Sequence, residues 1–151
     1  MKIMVINGPN LNLLGIREPA IYGTHSYADL EAFIQREAAL RKIAADVRQS
    51  NHEGTLIDWV QEAYFKTYDG VVINPGGYTH TSVALGDAVH GIAPLPVVEV
   101  HLSDVLKRED YRLISYLAPY CVRQISGAGF ASYAQALDEL LKHKSSSTVV
   151  E

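Results

Sequence analysis

The stretch Gly70-Val71-Val72-Ile73-Asn74-Pro75-Gly76-Gly77-Tyr78-Thr79-His80-Thr81-Ser82 decides the fold. Gly70 to Asn74 reads as a short buried strand, because an apolar β-branched run bounded by turn residues fits a sheet interior. Pro75, Gly76 and Gly77 break it, and a helical pattern follows from about Thr79 or His80 to His90, stopped by Gly91. A strand that passes through a glycine-bearing corner into a helix is the repeating half of a parallel β/α sheet. The corner then falls at the carboxyl end of the strand, where such sheets bind ligands. Its amide, imidazole and hydroxyl groups offer directional hydrogen bonds but little apolar grip, which suits a small hydroxylated or carboxylated molecule better than a flat cofactor.

The same alternation extends in both directions. Ile3-Met4-Val5-Ile6 reads as a strand ending at Asn7-Gly8-Pro9-Asn10, and a polar loop carrying Arg17, Glu18, Pro19, Tyr22, Gly23 and Thr24 leads to a helix over about Tyr27 to Ile43. Ser26 is its candidate cap, with Asp29 in the first turn. Ala45, Val47 and Gln49 alternate with polar residues as a short second strand, and Leu56, Ile57, Trp59, Val60 and Ala63 mark a second helix. Val97 to His101 gives a fourth strand, Cys121 to Ser126 a fifth, and Phe130 to Leu141 a last helix. Interleaved strands and helices imply right-handed crossovers, hence an α/β, flavodoxin-like doubly wound sandwich around a five-stranded parallel sheet. One catalytic domain is expected over residues 1–142. The serine-bearing tail 143–151 has little to bury and is expected to be flexible.

Composition narrows the function. The chain has 151 residues, 48% hydrophobic and 20% charged, enough for one ordinary core. Its formal net charge of -4 gives no reason to expect a nucleic acid or an anionic membrane as partner. Ile3 to Ile6 is too short for the apolar part of a signal peptide, no span is long enough to cross a bilayer, and Cys121 is the only cysteine. A cytoplasmic protein with a buried, inert thiol is expected. His25, His52, His80, His90, His101 and His143 show no metal-ligand spacing. Gly127-Ala128-Gly129 is only half of a dinucleotide fingerprint, so close helix packing explains it better.

Polar residues collect at strand ends: Asn7 and Asn10 after the first, Asn74 after the third, Glu99 and His101 in the fourth. Two apart in a strand, Glu99 and His101 share a face, opposite Val98 and Val100. A buried carboxylate needs a partner, so the pair either merely satisfies itself or forms a carboxylate-oriented imidazole for proton transfer near neutral pH. Ser103, Asn74 and His80 gathering at the same edge favour the second reading. Arg17 and Tyr22 lie in a loop able to close over that edge, where a cation beside the phenol would make it a usable base, although an exposed arginine and a packed tyrosine are the more usual reading of such a loop.

These motifs together resemble the type II 3-dehydroquinate dehydratases: Asn7-Gly8-Pro9-Asn10-Leu11, Arg17-Glu18-Pro19 with Tyr22-Gly23, Gln49-Ser50-Asn51, Asn74-Pro75-Gly76 with Thr79-His80-Thr81-Ser82, Glu99-Val100-His101-Leu102-Ser103, and Arg108 to Ser115. The match runs in order from about residue 3 to residue 141. The resemblance implies a cofactor-free lyase that converts 3-dehydroquinate to 3-dehydroshikimate, in aromatic amino-acid biosynthesis or quinate catabolism. It also implies a homo-oligomer, a dodecamer built as a tetrahedral array of trimers. By the same resemblance Tyr22 takes the proton, Arg17 activates it from a lid, Asn10 holds a water near the developing enolate, and His101, oriented by Glu99, donates the proton. Asn74, His80, Leu102, Ser103 and Arg112 match substrate-binding positions, and Asp87 one that reaches a neighbouring subunit's substrate.

Two departures stand out. Gly86 replaces a frequent Arg before Asp87, and Leu113-Ile114 replaces a more polar pair before Ser115, so both bear on subunit contacts. The competing class is a flavodoxin-like binding or signalling module. A flavin carrier needs a hydroxyl- and glycine-rich phosphate loop after the first strand, and a phosphoacceptor needs an acidic cluster there with an Asp ending the third. The chain has Asn7-Gly8-Pro9-Asn10 and Asn74 instead.

Overall fold

The computed structural model describes residues 1–148 and, of Tyr22, the backbone alone. Among the described residues, β1 (Lys2–Asn7), β2 (Ala44–Gln49), β3 (Gly70–Asn74), β4 (Val97–His101) and β5 (Arg123–Ser126) form one parallel sheet in the order β2-β1-β3-β4-β5. The helices between and after them are α1 (Pro19–Tyr22), α2 (Tyr27–Leu40), α3 (Glu53–Phe65), α4 (Val83–Gly91) and α5 (Ala131–Thr148). This is the flavodoxin-like doubly wound sandwich.

The three central strands β1, β3 and β4 are buried almost throughout because both faces are covered, whereas the edge strands β2 and β5 mix polar and apolar residues. Ile3 and Val5 pack with Leu30, Ile34, Tyr133 and Leu137 of α2 and α5, whereas Met4 and Ile6 pack with Leu56, Val60, Leu85 and Val89 of α3 and α4. The chain leaves β1 for β2 on one side and returns across it to β3. The loops beyond β1 and β3 therefore diverge and open the crevice in which this fold places its ligands. At its floor the Gly8 N–H donates to the Asn74 carbonyl at 2.7 Å. A Cβ on Gly8 would stand 2.8 Å from the Pro75 backbone, so these loops touch only because residue 8 has no side chain.

Local chemistry sets the boundaries, and several differ from the sequence expectation. Helix α2 starts at the expected cap, with a reciprocal Ser26–Asp29 capping box, but ends at Leu40 rather than Ile43. The expected helix start at Thr79 or His80 is displaced to Val83, because the Ser82 hydroxyl accepts from Leu85 N–H at 2.9 Å and takes the cap position. Gly76–His80 is a 3₁₀ turn instead. The loop bearing Arg17 contains the one-turn helix α1, and β5 begins at Arg123, after Cys121. Helix α5 continues past Leu141 to Thr148, where Ser145, Ser146, Ser147 and Thr148 hydroxyls bond back to carbonyls one turn earlier. The tail residues 149–151 lie outside the described residues.

Candidate active site

The carboxyl ends of β1, β3 and β4 surround a cleft of about 140 Å³. The loop after β1 contributes Asn10 and Leu11, the corner after β3 contributes Asn74, Gly76, Gly77 and His80, and the end of β4 contributes His101, Leu102 and Ser103. Arg17 enters from the segment before α1, and Arg108 and Arg112 from the stretch between β4 and β5. Cations and amides around a small polar space favour an anionic, hydroxyl-bearing ligand.

Glu99 lies beneath this cleft with no exposed surface, and His101 is 7% exposed. The two side chains share the α4 face of β4, and His101 Nε2 stands 2.6 Å from Glu99 Oε1. Thr79 Oγ1 donates to Glu99 Oε1, and Ser115 Oγ donates to Oε2 at 2.8 Å. Burial alone would push the Glu99 carboxyl up; the His101 hydrogen bond and charge, with the Thr79 and Ser115 hydroxyls, outweigh burial and hold it below the usual carboxylate range. An ionised Glu99 accepting from Nε2–H fixes the ring's orientation and leaves the other nitrogen of His101 for a ligand.

His80 stacks near His101, with ring centroids 6.4 Å apart. Its Nδ1–H donates to the Ile114 carbonyl at 2.7 Å, which fixes the tautomer. Burial lowers its pKa, and the nearby His101 and Arg112 add to the effect against the opposing carbonyl bond, so His80 is a neutral ring at physiological pH.

Asn74 is held from the other face of the sheet. The register pairs Asn7 with Asn74, and the fully buried Tyr133 of α5 bridges them. Its hydroxyl donates to Asn7 Oδ1 at 2.6 Å and accepts from Asn74 Nδ2 at 3.0 Å. Asn74 Oδ1 accepts from Gly76 N–H at 3.2 Å, which leaves one lone pair of that oxygen and the second N–H of the amide to serve a ligand. Asn10 adopts a left-handed φ of 69°, and its N–H donates to Asn51 Oδ1 at 3.0 Å, which anchors the loop after β1.

Arg17 Nη2 lies 3.7 Å from Glu18. Arg112 Nε lies 2.9 Å from Glu109 Oε2, yet it is not directed along a hydrogen bond, and this buried donor has no such partner among the described residues. The Tyr22 side chain lies outside the described part of the structure; its backbone ends α1 in the same segment as Arg17.

Of the residues singled out from sequence, Asn10, Arg17, Asn74, His80, His101, Leu102, Ser103 and Arg112 meet at this cleft, with Glu99 directly below. Asp87 does not: it lines a separate groove with Ile57, Tyr64, Phe65 and Ile92 between α3 and α4. Although they are seven residues apart, His80 and Asp87 do not share a helix face, because His80 precedes α4. Sequence reading gives no role to Tyr133, Ser115 or Arg108. Tyr133 sits at helical spacing among core residues and resembles any packed aromatic, Ser115 reaches Glu99 and Thr79 through long-range contacts that carry no local pattern, and Arg108 lies in an irregular stretch with no period to mark it. Cys121 is half-buried rather than fully buried; burial pushes its thiol up to about 12, consistent with an unreactive role. Among the described residues no group of three His, Cys, Asp or Glu side chains is arranged to hold a metal, and no helix is long and apolar enough to cross a membrane.

Residues 1–141 match the family model for dehydroquinase class II. The chain is 51% identical to a 3-dehydroquinate dehydratase of Clostridium perfringens, over 95% of this chain and 97% of that protein. It is 51% identical to one of Mesorhizobium japonicum, over 91% and 95%. The type II dehydroquinase structure from Butyrivibrio crossotus superposes with a TM-score of 0.91 at 50% identity, covering 93% of this chain and 97% of that one. The Propionibacterium acnes type II dehydroquinase gives 0.88 at 36% identity, covering 92% and 94%. With sequence, fold and strand-end cleft in agreement along nearly its whole length, the chain belongs to the class II dehydroquinase family.

Proposed function

We propose that this cleft converts 3-dehydroquinate to 3-dehydroshikimate and water by stepwise elimination through an enolate. The substrate carries a ketone, a tertiary hydroxyl beta to it and a carboxylate. Tyr22, as phenolate beside Arg17, removes a proton alpha to the ketone, and the electron pair moves onto the ketone oxygen. A water ordered by Asn10 donates to that oxygen as an oxyanion-hole group does. The enolate then re-forms the ketone, the carbon–oxygen bond beta to it breaks, and the departing hydroxyl takes the His101 proton and leaves as water. No Schiff base is needed. Backbone amides at Leu102 and Ser103, with the Ser103 hydroxyl, receive the carboxylate, while Asn74, His80 and Arg112 read the ring oxygens.

The observation that carries this reading is the fully buried Glu99 carboxyl group held 2.6 Å from His101 Nε2 at the cleft floor. Such a dyad suits delivery of a proton to a poor leaving group. Relatives named 3-dehydroquinate dehydratase, at about half identity over nearly full length, support the substrate. The direct test is ultraviolet: the product is a conjugated enone carboxylate and absorbs where the substrate does not. Purified protein with 3-dehydroquinate gives a rising signal that survives chelation and dialysis. No signal, or one restored only by an added metal, contradicts the reading.

We further propose a cytoplasmic enzyme of aromatic amino-acid biosynthesis or quinate catabolism, assembled as a dodecamer built from trimers; membership of the family supports both. Asp87, away from its own cleft, then reaches the substrate of a neighbouring subunit. Light scattering at assay concentration tests this, and a fully active monomer refutes the shared site.

A further inference from the structure

The stretch Ile114–Ala118 crosses α4 and is laced to the corner after β3. Tyr116 N–H donates to the Thr79 carbonyl at 2.8 Å, and the Ile114 carbonyl receives the His80 Nδ1–H. Ser115 Oγ accepts from Leu117 and Ala118 N–H at 3.1 and 3.0 Å. With both lone pairs taken by backbone donors, the single hydroxyl proton of Ser115 has to point outward, and Glu99 is where it goes. Thr79 directs its proton to the same carboxylate. A protonated Glu99 would set its own O–H against groups already donating to it, so the seat selects the ionised form.

This crossing is possible because residue 86 is glycine. A Cβ there would stand 2.5 Å from the Tyr116 carbonyl oxygen, backbone that cannot swing aside as a side-chain tip can. Glycine is otherwise unfavourable within a helix, and Gly86 is buried within α4. The close approach is what the glycine supplies.

We propose that the Ile114–Ala118 segment, admitted by Gly86, is a positioning clamp: through Ser115 and Thr79 it fixes the carboxylate that orients His101, and through the Ile114 carbonyl it fixes the tautomer of His80. The proposal rests on the reading of His101 as proton donor. The titratable groups that face Glu99 are His101 from its own strand, His80 from the corner after β3, itself facing Arg112, and the neutral thiol of Cys121. Ser115, Thr79 and Gly86 act through Glu99 and the histidines; none is given a contact with substrate.

The test is steady-state kinetics across pH for Ser115→Ala, the isosteric Thr79→Val, the hydroxyl-retaining Thr79→Ser and Gly86→Ala, with the first two repeated in Glu99→Gln. Losing either hydroxyl should lower kcat about tenfold, the scale of a hydrogen bond to a charged group, with KM changed less than about twofold. The acid limb of the kcat profile should move to higher pH, because a carboxylate that loses a donor is easier to protonate. Thr79→Ser should keep most of the wild-type rate, and in Glu99→Gln neither further loss should appear. Gly86→Ala, if it folds, should show the same signature. A rate loss with no movement of the acid limb, or one fully retained in Glu99→Gln, overturns the clamp. If Glu99→Gln and His101→Ala themselves turn over normally, the underlying proton-donor reading fails, and the clamp with it.

Discussion

The end of β4 and the segment carrying Arg17 and Tyr22 stand on unlike supports. His101 closes a strand buried on both faces, and both oxygens of its partner carboxylate are engaged. The segment before α2 consists of a one-turn helix, with Ile16 and Ile21 exposed and Glu18 at a left-handed φ of 41°. A four-residue helix has almost no stability of its own, and a non-glycine residue in the left-handed region costs about 1–2 kcal/mol. On the proposed mechanism the proton donor is thus built into the sheet, whereas the base is carried on marginal structure suited to opening and closing. If the roles are so divided, preorganisation on one side and a weakly held segment on the other would let the substrate enter and still meet a fixed acid.

The largest effects should come from the reacting groups themselves. Tyr22→Phe and His101→Ala should each lower kcat by ~10²–10⁴-fold, the usual scale for a general base or acid, with folding intact by circular dichroism. Near-normal turnover in either variant removes that residue from its role. Arg17→Ala should cost about 10²-fold by raising the phenol pKa and loosening the lid. A loss confined to KM would make Arg17 a binding group alone.

Effects on stability should fall on the rigid side. Tyr133→Phe leaves Asn7 Oδ1 and Asn74 Nδ2 short of a partner inside the protein, at about 1–3 kcal/mol. For a chain of this size that lowers the melting temperature by roughly 2–4 °C per kcal/mol, which calorimetry would resolve. Glu99→Gln should also be less stable than the parent at neutral pH. Because the folded carboxyl sits below its unfolded value, its contribution is present above the unfolded pKa of about 4.3 and is lost as pH falls through the folded pKa. Urea midpoints of parent and variant should therefore converge on acidification; a gap that widens would reverse the sign of the argument.

The smallest effect should be at Glu18. Glu18→Gly relieves the left-handed backbone but frees the unfolded chain, so stability should change by no more than about 1 kcal/mol. The informative readout is kcat. A few-fold change in either direction would show that lid conformation limits turnover, and none would place the limit elsewhere.

Much of this was legible in residue order. The strand-corner-helix pattern around Asn74 and the two-residue spacing of Glu99 and His101 are local, and local patterns survive folding. The helix start at Val83 was hidden because Ser82 competes with Thr79 and His80 as a cap, and only the accepted Leu85 N–H decides between them. The Glu99 seat was hidden for another reason. Ser115 lies 16 residues from Glu99 and 36 from Thr79, so no period links them. Tyr133 was masked by its own apolar neighbours, since one hydroxyl among core positions leaves the helical pattern unchanged.

Exchange of the substrate's alpha proton with deuterated solvent, followed by nuclear magnetic resonance in the two variants, tests the division of labour most directly. If Tyr22 on the lid removes the proton and His101 on the strand delivers one to the leaving hydroxyl, His101→Ala exchanges the alpha proton while failing to release water, and Tyr22→Phe does neither. Exchange that persists in Tyr22→Phe and disappears in His101→Ala would contradict the account.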